Sequence, residues 1–361
     1  MLNEIKQLDL TDWPAYSWEK EQKQATLLSK VLELDAHHSD NCPAFSKLKS
    51  FMPELDVVPH PYSQLFPLPV RLFKSQALKS VPDDSVIKTM MSSGTSGQSV
   101  SKIYLDKETS IYQVKVLSKL VRNFIGNKRL PLLVIDCPST VKNRTQFSAR
   151  TAGILGFSMY GRDITYALND DMSLNLNAIN EFIETYRGQE KFIFGFTYII
   201  WLHLVEALEQ TKQTIDLTDS TLIHGGGWKK IESRQISKTN FKSRLKNVSK
   251  IPRIHNYYGM IEQTGSIFME CEQGHFHCSS WSEVIMRDFK TLQPLKNNKV
   301  GLIQLISALP HSYPGHSILS EDIGIKLGED DCPCGRKGTY FDVLGRVKQA
   351  EVRGCSDTYS K

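Results

Sequence analysis

The sequence predicts an α/β protein, with mixed sheets covered by helices and a smaller β-rich subdomain joined to them. Three observations predict it. From about Val86 to Val248, short apolar strands alternate with amphipathic helical stretches, the pattern of a largely parallel sheet covered on both faces. After Glu262 the helices stop, and short strands follow one another between turns. The chain has 361 residues, 40% hydrophobic and 23% charged, enough to bury a large core in two or three domains.

The elements are justified in chain order. Leu27, Leu28, Val31 and Leu32 recur at helical spacing between Trp18 and Leu34. Asn41, Pro43, Pro53, Pro59, Pro61, Pro67 and Pro69 then break regular structure. Val86 to Met91 and Lys102 to Leu105 read as strands, and the stretch from Asp106 to about Phe124 as a helix. Leu132 to Ile135, Lys191 to Phe196 and Thr221 to His224 are apolar strands. Helices are expected over Asn175 to Tyr186, Trp201 to Leu208 and Ile231 to Val248. Ser266 to Met269, Glu283 to Met286, Val300 to Ile306 and Thr339 to Leu344 make the β-rich part. The expected division is a helical lead-in over 1–80, an α/β body over 81–265, a β-rich subdomain over 266–345 and a tail over 346–361.

Composition narrows the function. The net charge of +5 is spread along the chain, which argues against nucleic acid as a partner and suits anionic small substrates. No apolar run reaches the roughly 18 residues of a membrane span. The start Met-Leu-Asn-Glu-Ile-Lys-Gln lacks an apolar signal region, so a cytoplasmic enzyme is expected. Seven cysteines, an odd number, argue against a disulfide framework.

The most informative segment is Ser92-Ser93-Gly94-Thr95-Ser96-Gly97. Its glycines let backbone N–H groups close on an anion, and its hydroxyls add donors. It lacks the Gly-Lys-Ser/Thr ending of a Walker loop and joins two strands rather than opening a helix. A flexible Ser/Gly linker has the same composition. Four later motifs accompany it: His224-Gly225-Gly226-Gly227-Trp228, Asn256-Tyr257-Tyr258-Gly259-Met260-Ile261-Glu262, Glu321-Asp322 and Leu344-Gly345-Arg346-Val347-Lys348. Together, and in this order, they resemble the motifs of the adenylate-forming superfamily, which contains acyl-CoA synthetases and phenylacetate-CoA ligases.

That resemblance implies the N-terminal domain fold of those enzymes, with ATP and Mg²⁺ as cofactors. It places Gly225, Gly226, Tyr257, Tyr258 and Gly259 around the adenosine, with Tyr257 offering an aromatic face. Glu262 would hold Mg²⁺, Asp322 would accept the ribose hydroxyls, and Arg346 and Lys348 would belong to the hinge. Two departures stand out. Ile261 occupies the position of the family's threonine, removing one hydroxyl contact to phosphate, and the usual lysine after the loop is displaced, with Lys102 as an open substitute.

Two cysteine groups suggest a second metal. Cys271, His275, His277 and Cys278 lie in one short hairpin-like segment, and Cys332 and Cys334 in a later knuckle. Two ligands from each turn would close a tetrahedral zinc site. By resemblance to phenylacetate-CoA ligase-like proteins the set is Cys271, His277, Cys332 and Cys334. Cys278 and His275 compete for places, and plain reduced thiols remain the alternative.

Superfamily members continue past the hinge into a small C-terminal domain, which this sequence lacks on the resemblance. The ending Glu351-Val352-Arg353-Gly354-Cys355 offers a thiol instead, with Arg353 and Lys348 near in sequence to favour its thiolate. This combination, with Ser148-Ala149-Arg150-Thr151-Ala152-Gly153-Ile154 through Gly161, resembles acyl-protein synthetases of LuxE type. The resemblance implies activation of a long-chain fatty acid with ATP, transfer to Cys355, and delivery to a fatty acyl reductase partner, with Cys355, Glu262 and Lys348 as the catalytic set. Two other readings stay open: an acyl-CoA ligase-like enzyme using coenzyme A or a carrier protein, and a non-catalytic adenylate-binding subunit of a reductase complex. Phe157, Tyr160, Phe194, Phe196 and Trp201 are expected either to line an acyl pocket or to fill a core.

Overall fold

The computed structural model describes residues 9–51, 60–92, 100–142, 148–228 and 234–347. In chain order the strands are β1 (Leu68–Pro69), β2 (Lys88–Met91), β3 (Lys102–Leu105), β4 (Leu130–Ile135), β5 (Gly161–Tyr166), β6 (Lys191–Phe196) and β7 (Ser220–Gly225). They continue as β8 (Arg253–Tyr258), β9 (Phe268–Glu270), β10 (Phe276–His277), β11 (Ser282–Arg287), β12 (Val300–Ser307), β13 (Ser317–Glu329) and β14 (Thr339–Arg346). The chain divides into two compact units. Among the described residues one takes 121–258, and the other takes 9–92, 100–120 and 259–347.

The 121–258 unit is the α/β body. Its strands are all parallel, in the order β8-β7-β6-β4-β5. A parallel sheet covered on both faces needs continuous apolar strands, and β6 and β7 are buried at every position. One face is a core of Leu133, Ile135, Ile193 and Leu222 packed under the helices Leu176–Thr185 and Lys238–Ser249. Phe192, Phe194 and Phe196 alternate to the other face, where Phe157 of helix Ala149–Ser158 stacks on Phe194 at 4.3 Å between ring centroids.

The other unit is mainly antiparallel. Its strands run β11-β12-β13-β14-β10-β9, with the short β1 pairing parallel to β13. β2 and β3 form a separate antiparallel hairpin. The N-terminal helix Lys20–Asn41 belongs to this unit, where Lys23 pairs with Glu283 of β11 at 3.0 Å, both buried. A second core gathers Phe45, Phe66, Leu68, Phe73, Leu105, Tyr313 and Ile318.

Several expectations are corrected in detail. The predicted break at Asn41 and Pro43 is one residue wide: Cys42 closes the first helix through its N–H to His38 O at 2.9 Å. A new helix then runs over Pro43–Ser50, because proline suits a helix's first position. The helix expected over Trp201 to Leu208 begins at Thr197, and Trp201–Val205 within it is π-helical. The basic helix starts at Lys238 because the Ser237 side chain accepts from Asn240 N there; residues 229–233, where an earlier start was expected, lie outside the described residues. β5 and β8 escaped the sequence reading because their residues are polar. β5 is an edge strand and half exposed, and β8 ends in partly buried tyrosines. Among the described residues no α-helix follows Ser249, as the β-rich reading requires.

Candidate active site and metal cluster

In an open parallel sheet, ligands bind beyond the carboxyl ends of the strands, where the strand order switches direction. Here the chain passes from β4 outward to β5 and returns on the opposite side of β4 as β6. The ends of β4 and β6 therefore flank the switch point. Asp136 follows β4, and Arg150 of helix Ala149–Ser158 grips it. Arg150 Nε donates to Asp136 Oδ2 at 2.6 Å and Nη2 donates to Oδ1. Cys137 N at 2.6 Å and Thr140 Oγ1 at 2.7 Å also donate to Oδ1. Asp136 and Arg150 are 0% and 2% exposed. The carboxylate holds the guanidinium charge firmly in place, raising its pKa although burial opposes this.

Beyond β6, buried Thr197 Oγ1 lies 2.9 Å from His224 Nδ1 and donates to Gly225 O at 3.0 Å. This fixes the glycine turn after β7. Gly226 sits at φ +87°, and a Cβ there would lie 2.9 Å from the Phe196 ring. A Cβ on Gly225 would meet the Tyr257 ring at 2.5 Å, so the ring lies directly against this backbone. Gly225, Gly226 and Tyr257 are thus brought together, with Phe157 behind Tyr257 at 5.2 Å. The five aromatic residues considered for an acyl pocket do not share a surface. Trp201 packs in the opposite core, under Arg244 and beside Trp228 and Phe241.

Of the remaining predicted site residues that are described, Tyr258 belongs to the 121–258 unit and the others to the other unit. Ser92 closes the β2–β3 hairpin: its N–H donates to Ser101 O at 3.0 Å, and its Oγ accepts from Ser101 N at 2.9 Å. Ser93, Gly94, Thr95, Ser96 and Gly97 lie outside the described residues, as do Lys348 and Cys355. Gly259 is closed in by Ile267, whose Cγ2 would lie 2.8 Å from a Cβ, and Tyr258 ends β8 half-buried. Glu262 sits in a 3₁₀ turn, Ile261–Gln263, and is 1% exposed. Its charge, after burial itself, helps push up the pKa of buried Tyr313. Asp322 and Arg346 face each other across β13 and β14, with Arg346 Nε 3.7 Å from Asp322 Oδ1. Arg346 Nη2 also donates to Glu321 Oε2 at 3.0 Å, and Arg71 pairs with the same carboxylate.

Four metal-type ligands converge in this unit. One ligand atom from each of Cys271, His277, Cys332 and Cys334 lies within 4.8 Å of all the others. Cys271 Sγ is 3.9 Å from Cys332 Sγ, and Cys334 Sγ is 3.4 Å from His277 Nε2. Zn–S bonds of about 2.3 Å in a tetrahedron imply S–S edges of about 3.8 Å, so the spacing fits. Local turns make the set. Cys271 N donates to His275 O, both at 2.9 Å like the return bond from Gly274 N to Cys271 O, and Gly335 N closes the knuckle onto Cys332 O at 3.0 Å. Gly274 and Gly335 take φ +85° and +82°, where a side chain would be strained. Burial pushes the Cys332 thiol up to about 12 and His277 down to about 4, the latter helped by the Arg336 charge. The two competitors fall outside the cluster: Cys278 is buried beside Glu283, and His275 points to Asp342 at 3.5 Å.

A family model described as "Acyl-protein synthetase, LuxE" matches residues 2–361. The chain belongs to the LuxE acyl-protein synthetase family. It is 24% identical over 354 residues to the long-chain-fatty-acid–luciferin-component ligase of Vibrio harveyi, covering 95% of this chain and 89% of that protein. The protein of that name from Aliivibrio fischeri is 27% identical over 138 residues, 37% of this chain and 36% of that one. Among solved structures, a 2-hydroxyisobutyryl-CoA ligase in its postadenylation state superposes with a TM-score of 0.66 at 14% identity, over 96% of this chain and 74% of that one. A long-chain-fatty-acid-CoA ligase from Archaeoglobus fulgidus gives 0.50 at 15% identity, over 74% and 52%. The fold is therefore that of adenylate-forming ligases, and this LuxE-family chain is an enzyme of the acid–thiol ligase kind. Among the described residues no helix is long and apolar enough to cross a membrane.

The sequence reading missed two features of this candidate site. The Asp136–Arg150 pair had two separate signals, an acid immediately ending the apolar run Leu130–Ile135 and the Ser148 to Ile154 segment with Arg150 fourteen positions on, but no spacing joins them. Thr197 had none, since a threonine opening a helix after a strand is ordinary.

Proposed function

We propose that this chain uses ATP and Mg²⁺ to activate a long-chain fatty acid as its acyl adenylate, and transfers the acyl group to the Cys355 thiol for delivery to a fatty acyl reductase. The family match over residues 2–361 carries the reading. The name of the Vibrio harveyi relative supports the substrate class. In the first step a carboxylate oxygen attacks the α-phosphorus and pyrophosphate leaves. Residues Ser92 to Gly97 would cradle the phosphates, Asp322 would take the ribose hydroxyls, and Tyr257 on its glycine turn would face the adenine. Glu262 would hold Mg²⁺, which neutralises charge developing on the phosphate oxygens. In the second step the Cys355 thiolate attacks the acyl carbonyl carbon and AMP leaves, with Lys348 and Arg353 favouring the thiolate.

Cys271, His277, Cys332 and Cys334 would hold a structural zinc ion, since four protein ligands leave no open position for catalysis. On this reading 81–265 carries the adenylation body, 266–345 the zinc-bearing β subdomain and 346–361 the acceptor thiol, behind the 1–80 lead-in, in a cytoplasmic enzyme.

Intact-mass spectrometry after incubation with ATP, Mg²⁺ and a panel of fatty acids tests the reading. One acyl mass on the chain, released by hydroxylamine, is expected, and Cys355→Ser should keep ATP–pyrophosphate exchange without gaining that mass. Normal acylation of Cys355→Ser would remove Cys355 from its role. Acyl-CoA formed from added coenzyme A, with no acyl-enzyme, would favour the coenzyme A alternative.

A further inference from the structure

Gln263 follows the Mg²⁺-motif glutamate and is 2% exposed. Its Nε2 donates to two main-chain carbonyls, Gly315 O at 2.9 Å and Leu305 O at 3.1 Å. Both partners can only accept, so the amide's orientation is fixed by chemistry. Leu305 is in β12, and Gly315 lies in the connection from β12 to β13. One side chain therefore ties the 3₁₀ turn Ile261–Gln263 to a strand and to the loop that follows it.

The same turn is gripped elsewhere. A Cβ on Gly315 would lie 2.8 Å from Glu262 O and 2.3 Å from the Tyr313 ring. Gly265, at φ +88°, lies so close to the helix Lys107–Ile125 that a Cβ would meet Gln113 Cα at 2.7 Å. Gln113 in turn reaches the Tyr313 hydroxyl at 3.4 Å. Glu262 thus sits on a short segment held by backbone approaches that only glycine permits, and the Gln263 amide bonds the same turn to the β12 side of this cradle.

We infer that Gln263 is a positioning residue that fixes the Glu262 carboxylate for its metal, by pinning the Ile261–Gln263 turn to Leu305 and Gly315. The inference rests on the reading of Glu262 as the Mg²⁺ residue. Groups behind a metal ligand change metal affinity or activity by about 10- to 100-fold when removed. Gln263→Met keeps the side chain's length and loses both donors.

The test is Mg²⁺ titration of ATP–pyrophosphate exchange in the full chain, with rates taken per folded molecule from circular dichroism. For Gln263→Met the half-saturating Mg²⁺ concentration should rise by about tenfold or more, with the KM for ATP at saturating Mg²⁺ changed much less. A purely structural role would lower the melting temperature and leave the Mg²⁺ dependence unmoved. Glu262→Gln, run alongside, separates the two claims. If it abolishes exchange while Gln263→Met keeps the wild-type Mg²⁺ dependence, the positioning role is overturned and the Glu262 reading stands. If Glu262→Gln keeps normal exchange and Mg²⁺ dependence, the Glu262 reading fails and the positioning role falls with it. Should Gln263→Met not fold, Gln263→Asn, whose amide falls one methylene short of both carbonyls, is read in the same way.

Discussion

Truncating Arg150 isolates the energetics of the switch point. Among the described residues, donors to Asp136 include two from the Arg150 guanidinium, one from Cys137 N and one from Thr140 Oγ1. In Arg150→Met the two neutral donors remain, so the carboxylate keeps hydrogen bonds but loses its countercharge in a site that is 0% exposed. Removing one partner of a buried pair costs about 3–5 kcal/mol, because the charge left behind is uncompensated. That is a large fraction of a total stability of about 5–15 kcal/mol. Asp136→Asn is the complementary perturbation: it retains an acceptor for Cys137 N and Thr140 Oγ1 and takes the carboxylate charge away from the guanidinium. The double variant leaves no charge buried and should cost less than the two single losses combined, by about 1–3 kcal/mol. Urea unfolding of the four proteins, read at constant m, measures the cycle. A loss below about 1 kcal/mol in Arg150→Met, or strict additivity in the cycle, would refute the claim that this pair pins helix Ala149–Ser158 to the end of β4.

Three further outcomes follow from the geometry. Protein purified without an affinity tag or chelator should carry about one equivalent of zinc, and Cys332→Ser should lose most of it along with thermal stability; below about half an equivalent, by elemental analysis, the zinc reading fails. His38 and His316 are both 0% exposed, stacked at 4.9 Å between centroids, and burial lowers both pKa values below the ordinary 6.5. The unfolded chain therefore binds protons that the fold refuses: stability is full above about pH 6.5 and falls below it by up to about 1.4 kcal/mol per pH unit for each ring, a slope that His38→Gln should reduce in urea titrations between pH 6.5 and 5. Gly226→Ala should impair exchange far more than Gly227→Ala, since a Cβ at Gly226 would press on Phe196 at 2.9 Å while none of the described atoms lies within 4 Å of one at Gly227; equal effects in the exchange assay would show that the left-handed backbone alone matters there.

How much of this was legible in the sequence depended on whether the signal was local. β4, β6 and β7 could be read because a strand buried on both faces must be apolar throughout, and Leu132 to Ile135, Lys191 to Phe196 and Thr221 to His224 are nearly so. β5 was missed for the same reason reversed: an edge strand keeps Arg162 and Asp163 in water and looks like a loop. The glycine turn was legible as His224-Gly225-Gly226, but not why glycine is needed, because that depends on Tyr257 and Phe196 arriving from other strands. The cysteine set shows how far spacing goes. Spacing alone does not rank Cys271, His275, His277 and Cys278; the resemblance selects Cys271 and His277, with His275 and Cys278 as competitors. β10 ends at His277, and Cys278 just beyond it is tied back to β14, its N–H donating to Thr339 O at 2.8 Å. The fold sends His277 toward Cys334, and Cys278 toward Glu283. Gln263 was invisible for a deeper reason. A glutamine after a glutamate carries no pattern, and its significance comes from two carbonyls more than forty residues away, Leu305 O and Gly315 O. Motif reading finds groups that would touch a ligand, because chemistry restricts their type. A group that acts through main-chain carbonyls is restricted only by geometry, so it is found by asking what holds the motif still.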